Sequence, residues 1–333
     1  MIFPILGGVL SIFRAPATWA LFLMNLFVFF MTAQDAKVGQ EQLEKYLQDE
    51  NFAIEQGYIY ARYIESQKGR YPASLNFLSS EVLSSGDLNK RQLLAGMALR
   101  DTHFLAEALT LDVGGDQVAY GWWRKKFVEL LDARESHPSY GLGVTQSTEQ
   151  DLYRWITYQF THSGGAHLIG NMAFFLIFAS SLELVIGSLG LVAVYIFSGI
   201  FAALTFSLLN ESSAIPLIGA SGAVSGVMAL FCLLLWNRGV RYMFFLLIPK
   251  RGYVGLVYLP AWVTLVLWFL SDLAGHLATP PVFGGVAYSA HLGGQFCGLV
   301  MGLSIMLIRR LRGQALLQDN LGVDTQPIFT RYI

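Results

Sequence analysis

Charge is what this chain has least of. Asp, Glu, Lys and Arg make up 14% of its 333 residues, against 54% hydrophobic residues and a mean hydropathy of +0.48. That bulk sets it apart from soluble proteins, and a net charge of −1 offers no basic surface for a nucleic acid partner. Cysteine is scarce as well. Cys232 and Cys297 each sit inside an apolar run with no histidine at ligand spacing, so both read as small buried hydrophobes. A disulfide framework and a structural zinc site are set aside on that ground. The first 13 residues hold no positive cluster, and the apolar run that follows Arg14 has no clear small-x-small cleavage signal. It reads as a retained membrane span and not as a signal peptide.

The charges that do occur are unevenly spread. Residues 35–150 hold 12 Lys/Arg and 17 Asp/Glu, a net of −5, whereas residues 155–308 hold only Arg238, Arg241, Lys250, Arg251, Glu183, Glu211 and Asp272. A polar module is therefore embedded in a membrane protein. The expected organisation is an N-terminal segment and first transmembrane helix over 1–33 and an inserted, mostly helical extracytoplasmic domain over 34–150. A membrane core with helices 2–6 follows over 151–310, then a cytoplasmic tail over 311–333. Within the insertion, apolar residues recur every three or four positions from Glu41 and again from Phe52, with breaks at Lys68–Pro72 and Gly114-Gly115. Three to five helices fit this length. Trp122 and Trp123, followed by Arg124, Lys125 and Lys126, suit either an interfacial amphipathic stretch or a helix packing its tryptophans on its neighbours. His103 and His137 read as surface residues.

Six apolar runs are long enough to count as spans: one after Pro16, then about 168–187, 191–209, 220–237, 255–271 and 284–308. The fold class is thus an all-α, polytopic six-helix bundle with an inserted helical extramembrane domain. Pro16 suits a first helical turn and Trp19 an interface; Asn25 either bonds to a neighbouring helix or is a tolerated amide. Arg14, the pairs Arg238/Arg241 and Lys250/Arg251, and Arg309, Arg310 and Arg312 all fall on one side of this arrangement. The acidic insertion, Glu211 and Asp272 fall on the other. Basic residues face the cytoplasm, so both termini are placed inside and the insertion outside.

Polar groups at membrane depth are costly and mark candidate chemistry. Ser221 opens the fourth span within Gly219-Ala-Ser-Gly222, and His291 lies near the outer start of the sixth. His167 and Asn171, four apart, share one helical face at the outer start of the second. A serine needs a base to take its proton, and imidazole can serve; an oxyanion needs donors, which Asn171, His167 and the Ser221 backbone N–H can supply. Gly222 and Gly226 on one helix, and Gly294, Gly298 and Gly302 on the other, allow the close approach that a Ser–His contact requires. No acidic residue is placed to orient His291. Asp272 and His276, assigned to the outer loop before the sixth span, read as solvated. Each feature also has a plainer account: a serine bonding back to a carbonyl, a structural histidine, a packing stripe. A metal site from His162, His167 and His291 lacks an acidic or thiol ligand.

Taken together, Gly219-Ala-Ser-Gly222, His167-Leu-Ile-Gly-Asn171 and Ala290-His-Leu-Gly-Gly294 resemble the rhomboid family of intramembrane serine proteases. Tyr153-Arg154 stands where the family has a Trp-Arg pair in its first outer loop. His162 matches a histidine that helps hold that loop, Glu183 matches a glutamate at the inner end of the second helix, and Pro16-Ala-Thr-Trp19 is similar to the family's first-helix start. The resemblance covers about residues 14–33 and 151–310. It implies a serine endopeptidase in which Ser221 and His291 form a dyad and His167 and Asn171 line the oxyanion hole. It also implies membrane-protein substrates with a transmembrane segment, a lipid bilayer around the core, and no metal or organic cofactor. Short loops and compact basic clusters fit a bacterial inner membrane, which would make the insertion periplasmic. Two departures stand out. Ser225 occupies a position where family members often carry an aromatic residue against the catalytic histidine; either another ring such as Tyr288 holds His291, or the imidazole is looser and activity lower. The 34–150 insertion has no counterpart in the resemblance; it selects or positions substrates, binds an unidentified partner, or caps the assembly. The alternative is a catalytically inactive rhomboid-like protein that binds or escorts membrane proteins. A transporter would need an intramembrane charge pathway or repeated halves, and neither is seen.

Overall fold

A computed structural model describes residues 2–4, 13–67, 69–111, 117–145, 152–210, 214–237, 239–245, 254–278, 285–313 and 329–330. Helix α1 (Pro16–Gln48) begins with proline in its first turn, where a missing N–H breaks no bond. Its 33 residues, at 1.5 Å each, make it about 50 Å long, beyond the ~30 Å of a bilayer core. No break separates the span from the insertion, because the apolar periodicity of residues 41–47 continues the same helix. Its C-terminal turns thus belong to the polar module.

Among the described residues, six further helical elements belong to that module: α2 (Glu50–Ser66), α3 (Ala73–Ser85), α4 (Leu88–Ala98), α5 (Thr102–Glu107), α6 (Gln117–Ser136) and α7 (Pro138–Leu142). The expected count was three to five; α5 and α7 are the short elements that periodicity could not show. Asp49, Asp87 and Asp101 each cap a following helix by accepting backbone N–H bonds. A separate core forms around Phe52, Tyr60, Tyr63, Phe104, Trp123 and Phe127. Trp123 is fully buried and stacked between Tyr120 and Phe127, at centroid distances of 5.5 and 4.8 Å, whereas Trp122 is partly exposed. Of the two readings of this stretch, packing against neighbours describes Trp123.

The membrane core comprises α8 (Arg154–Thr157), a 3₁₀ turn (Tyr158–Phe160), α9 (Gly165–Leu209), α10 (Ser221–Leu234), α11 (Ala261–Ala278) and α12 (Tyr288–Leu311). Helices α1, α9, α11 and α12 are long and apolar enough to cross a membrane, so the chain is a multi-pass integral membrane protein. Helix α9 leaves helical geometry at Gly187 (φ 76°, ψ 167°). Phe175 and Tyr195 would stand about 30 Å apart in a straight helix, yet their rings lie 5.5 Å apart. The chain therefore doubles back at Gly187, as the two runs 168–187 and 191–209 require. Helix α10, with 14 residues or about 21 Å, is shorter than a bilayer core.

Two elements differ from expectation. The run 255–271 is not one helix. Strand β3 (Val254–Pro260) ends at Pro260, which lacks the N–H to continue a ladder, and α11 starts at the next residue. Strand β3 pairs antiparallel with β2 (Gly239–Phe245), and β1 (Ile2–Pro4) and β4 (Phe329–Thr330) flank them in the order β1-β2-β3-β4. The all-α reading describes the bundle and the module, and the sheet is an addition to it. Arg238, Lys250 and Arg251, residues 279–284 and most of the tail lie outside the described residues.

Three contacts fix the bundle. Glu183 accepts the backbone N–H of Ala17 and Thr18 at 2.9 and 2.8 Å, the Thr18 hydroxyl at 2.7 Å and the Ser188 hydroxyl at 2.6 Å. One carboxylate thereby caps the otherwise unpaired start of α1 and ties it to the Gly187 reversal. Asn25 donates to Tyr195 Oη at 3.2 Å, the bond to a neighbouring helix that its place in the first span allowed. The glycine stripes bring α10 and α12 into backbone contact. A methyl on Gly294 would overlap the carbonyl oxygen of Gly222, and one on Gly298 that of Gly226.

Candidate active site

The segment that delivers Ser221 is held from both sides. Gly219 N–H donates to Tyr158 O at 2.9 Å, and the Tyr158 hydroxyl donates to Gly199 O at 2.6 Å. Gly219 has φ 110°, a left-handed conformation that favours glycine. Space demands glycine there too, since a Cβ would lie 2.7 Å from His167 Nε2 and 3.3 Å from Asn171 Nδ2. Two residues on, Ser221 is the first residue of α10, where backbone N–H groups have no intrahelical partner.

His167 and Asn171 sit one turn apart on α9 and border this loop. Ser163 Oγ lies 3.1 Å from His167 Nδ1, and the His162 ring meets the His167 ring edge-on at 5.1 Å. Asn171 Nδ2 is buried without a hydrogen-bond partner. A buried amide donor left open beside the Gly219 loop is costly unless something completes it.

Ser221, His167, Asn171 and His291 all line one cleft of about 920 Å³. Ser221 and His291 face it without a direct hydrogen bond between them, an arrangement common in sites that tighten only around substrate. Five of the six histidines of the chain line the cleft: His137, His162, His167, His276 and His291. Among the described residues, no carboxylate lines it.

The carboxylate is behind it instead. Asp272 was expected in a solvated outer loop, with no acid placed to orient His291. It lies within α11, is 4% exposed, and its Oδ1 is 3.0 Å from His291 Nδ1. Its second oxygen accepts a 2.6 Å bond from Gln295 Nε2. His291 and Gln295 are four apart on α12, so both side chains leave the same face and meet one acceptor. That spacing of two polar residues in an apolar run was the available signal. The partner, 19 residues from His291, was not visible in it. The Tyr288 ring lies edge-on to His291 at 6.3 Å and packs against Gly275. Ser225 is buried.

Residues 149–308 match the family described as Rhomboid domain. The chain carries a rhomboid-family domain. Among curated relatives, mouse "Rhomboid-related protein 2" is 26% identical over 160 residues, which is 47% of this chain and 49% of that protein. "Rhomboid protease AarA" of Providencia stuartii is 28% identical over 221 residues, 61% of this chain and 74% of the relative. "Inactive rhomboid protein 1" of Drosophila melanogaster is 36% identical over 94 residues, 28% of this chain and 6% of the relative. The matches thus span about half of the mouse protein and about three quarters of the Providencia one. All four cleft residues singled out in the sequence fall inside the rhomboid domain. So do Gly219, Gly222, Gly294, Arg154, His162 and Glu183, the last of these at the Gly187 reversal and not at the cleft.

The insertion reaches the rhomboid domain at the loop before Ser221. Val144 and Leu217 exchange backbone bonds of 3.1 and 2.8 Å, and Ala214 N–H donates to Arg100 O at 3.0 Å. Arg134, buried, donates to Ala214 O and lies over the Tyr140 ring. Arg154 of α8 in turn donates to Tyr140 O and so holds the end of the insertion. His137 is no ordinary surface residue: it caps α7 through the Ser139 N–H, packs on Gly39 of α1 and lines the cleft. His103, half-buried, pairs with Arg70 at 2.8 Å. Both cysteines are buried and free, and among the described residues no three His, Cys, Asp or Glu side chains gather as metal ligands.

Proposed function

We propose that the protein is an intramembrane serine endopeptidase that hydrolyses peptide bonds in or near the transmembrane segments of membrane proteins. The observation that carries this reading is the one cleft lined by Ser221, His291, His167 and Asn171, with the Asn171 amide buried and unpartnered. Ser221 attacks the peptide carbonyl as His291 takes its proton, and the acyl bond forms on Ser221 Oγ. The oxyanion is received by Asn171, His167 and the N–H groups at the start of α10. His291 returns the proton to the leaving amine and then activates water to release the acyl group. An intact helix shields its carbonyls, so a substrate has to unwind locally, and small or helix-breaking residues at the cut lower that cost.

Topology supports the same reading. His291 stands near one end of α12 and Arg309 and Arg310 at the other, 18 residues or about 27 Å away. With basic residues inside, both termini are cytoplasmic and the cleft opens on the outer side, consistent with a bacterial inner membrane. The cleft does not stop at the nucleophile. It climbs along one face of α1, past Thr32, Ala36 and Gln40, to His137 and Tyr140 of the insertion. The 34–150 domain therefore acts as a wall for the substrate segment beyond the cut and as a brace for the loop before Ser221.

The test is cleavage of a reporter transmembrane segment by purified protein in detergent. Wild type should cut it and S221A should not. A folded wild type that cuts no reporter and reacts with no serine-directed probe would turn the reading to a protein that binds or escorts membrane segments.

A further inference from the structure

We propose that Asp272 is a positioning residue for His291, so that hydrolysis runs through a serine–histidine–aspartate relay buried between three helices and not through a dyad. This rests on the reading of Ser221 and His291 as nucleophile and base. The geometry is specific. Asp272 on α11 meets His291 Nδ1 at 3.0 Å and Gln295 Nε2 at 2.6 Å, with Asp272 4% and Gln295 1% exposed. A carboxylate accepts only, so Nδ1 must carry the proton, which leaves Nε2 as the lone-pair nitrogen. The ring can then present a base to Ser221 on one edge while it is anchored on the other.

A fixed tautomer is one consequence and charge is the second. When His291 takes the Ser221 proton it becomes an imidazolium whose side chain is only 13% exposed, and among the described residues the carboxylate in contact with it is Asp272. The other groups around the ring offer no such compensation. His167 on α9 and His276 on α11 share its cleft as bases, Ser221 is neutral, and Tyr288 and Gln295 on α12 are neutral. Burying a carboxylate is costly unless it is paired, and Gln295 supplies the second bond that offsets the burial. This arrangement also accounts for Ser225: with Nδ1 anchored to α11 and Tyr288 at the ring edge, orientation does not depend on an aromatic from α10.

Asp272→Asn is the decisive variant. Asparagine can still accept from Gln295 with its oxygen, but it turns an N–H toward His291 Nδ1 and drives the ring proton to Nε2. We expect kcat on the reporter segment to fall by about 10²-fold or more, with KM within about twofold and the thermal midpoint retained. Asp272→Glu should recover part of kcat. An Asn variant with kcat within threefold of wild type overturns the relay. So does activity lost only in step with the melting temperature, in both variants. Histidine-labelled nitrogen NMR on S221A protein reads the same contact without turnover: Nδ1 should be protonated, and Nε2 should take the proton when Asp272→Asn is added. Protonation at Nε2 in the S221A protein itself would also overturn the proposal. Persistence of cleavage in S221A is a separate outcome, which removes the nucleophile assignment whatever Asp272 does.

Discussion

Replacing Gly219 by alanine tests how tightly the nucleophile loop and the oxyanion donors are fitted. The new methyl would start 2.7 Å from His167 Nε2, where ordinary contact begins at about 3.4 Å, so roughly 3.4 − 2.7 = 0.7 Å must be found. Helix α9 holds His167, and Tyr158 holds the loop through the Gly219 N–H, so neither side yields freely. A misplacement of about 1 Å at a reacting centre costs on the order of 10²-fold, so G219A should lose about 10- to 100-fold in kcat. Alanine is also strained at φ 110°, at a cost of about 1–2 kcal/mol. Gly69→Ala separates the two effects: Gly69 has φ 97° with nothing within 4 Å of a Cβ. It should lose comparable stability and keep wild-type turnover. The assay is steady-state cleavage of the reporter segment alongside thermal unfolding of both variants. Unchanged kcat in a folded G219A protein would refute the close fit, and equal loss of kcat in G69A would assign the effect to stability alone.

Three further outcomes follow from the same geometry. Asn171→Ala removes the open donor beside Ser221 and should lower kcat by about 10²- to 10³-fold with little change in KM, read from initial rates; an unaffected kcat would exclude it from the oxyanion site. His162, in the segment ahead of α9, has its pKa pushed down to about 4, first by burial and then by the neighbouring His167. The unfolded chain binds that proton at the usual value of about 6.5, so stability is complete above pH 6.5 and declines as pH falls toward 4. The thermal midpoint of H162Q should drop less than that of wild type between pH 7 and 5, and parallel curves would deny His162 this role. Ala36→Trp fills the cleft along α1 away from the reacting atoms. It should raise KM severalfold for reporters with a bulky segment beyond the cut while leaving labelling by a small fluorophosphonate unchanged; slowed labelling would mean the wall is not separate from the nucleophile.

The parts of this molecule that were readable in the sequence are those whose signal is local. Ser221 between glycines, the four-residue spacing of His167 and Asn171, and His291 ahead of a glycine stripe all reflect requirements of one helix face or one tight turn. The backbone contact between α10 and α12 followed from residues without side chains. Asp272 was misread because its meaning is tertiary: an acid at the end of an apolar run looks like the start of a loop until the partners on α12 are brought beside it. Hydropathy alone likewise could not divide 255–271 into strand and helix, since both halves are apolar and only Pro260 marks the join. Helix α1 crosses the expected boundary at residue 33 because its periodicity continues while only its polarity changes. His137 had no sequence signal, because its neighbours Gly39 and Ser139 matter only once α7 is folded against α1.

Intact mass and peptide mapping after reaction with a fluorophosphonate probe address the proposed chemistry most directly. Wild-type protein should gain a single adduct, located on Ser221, and H291A should gain none at the same exposure. An adduct on another residue, or equal labelling of Ser221 in H291A, would contradict a serine nucleophile activated by His291.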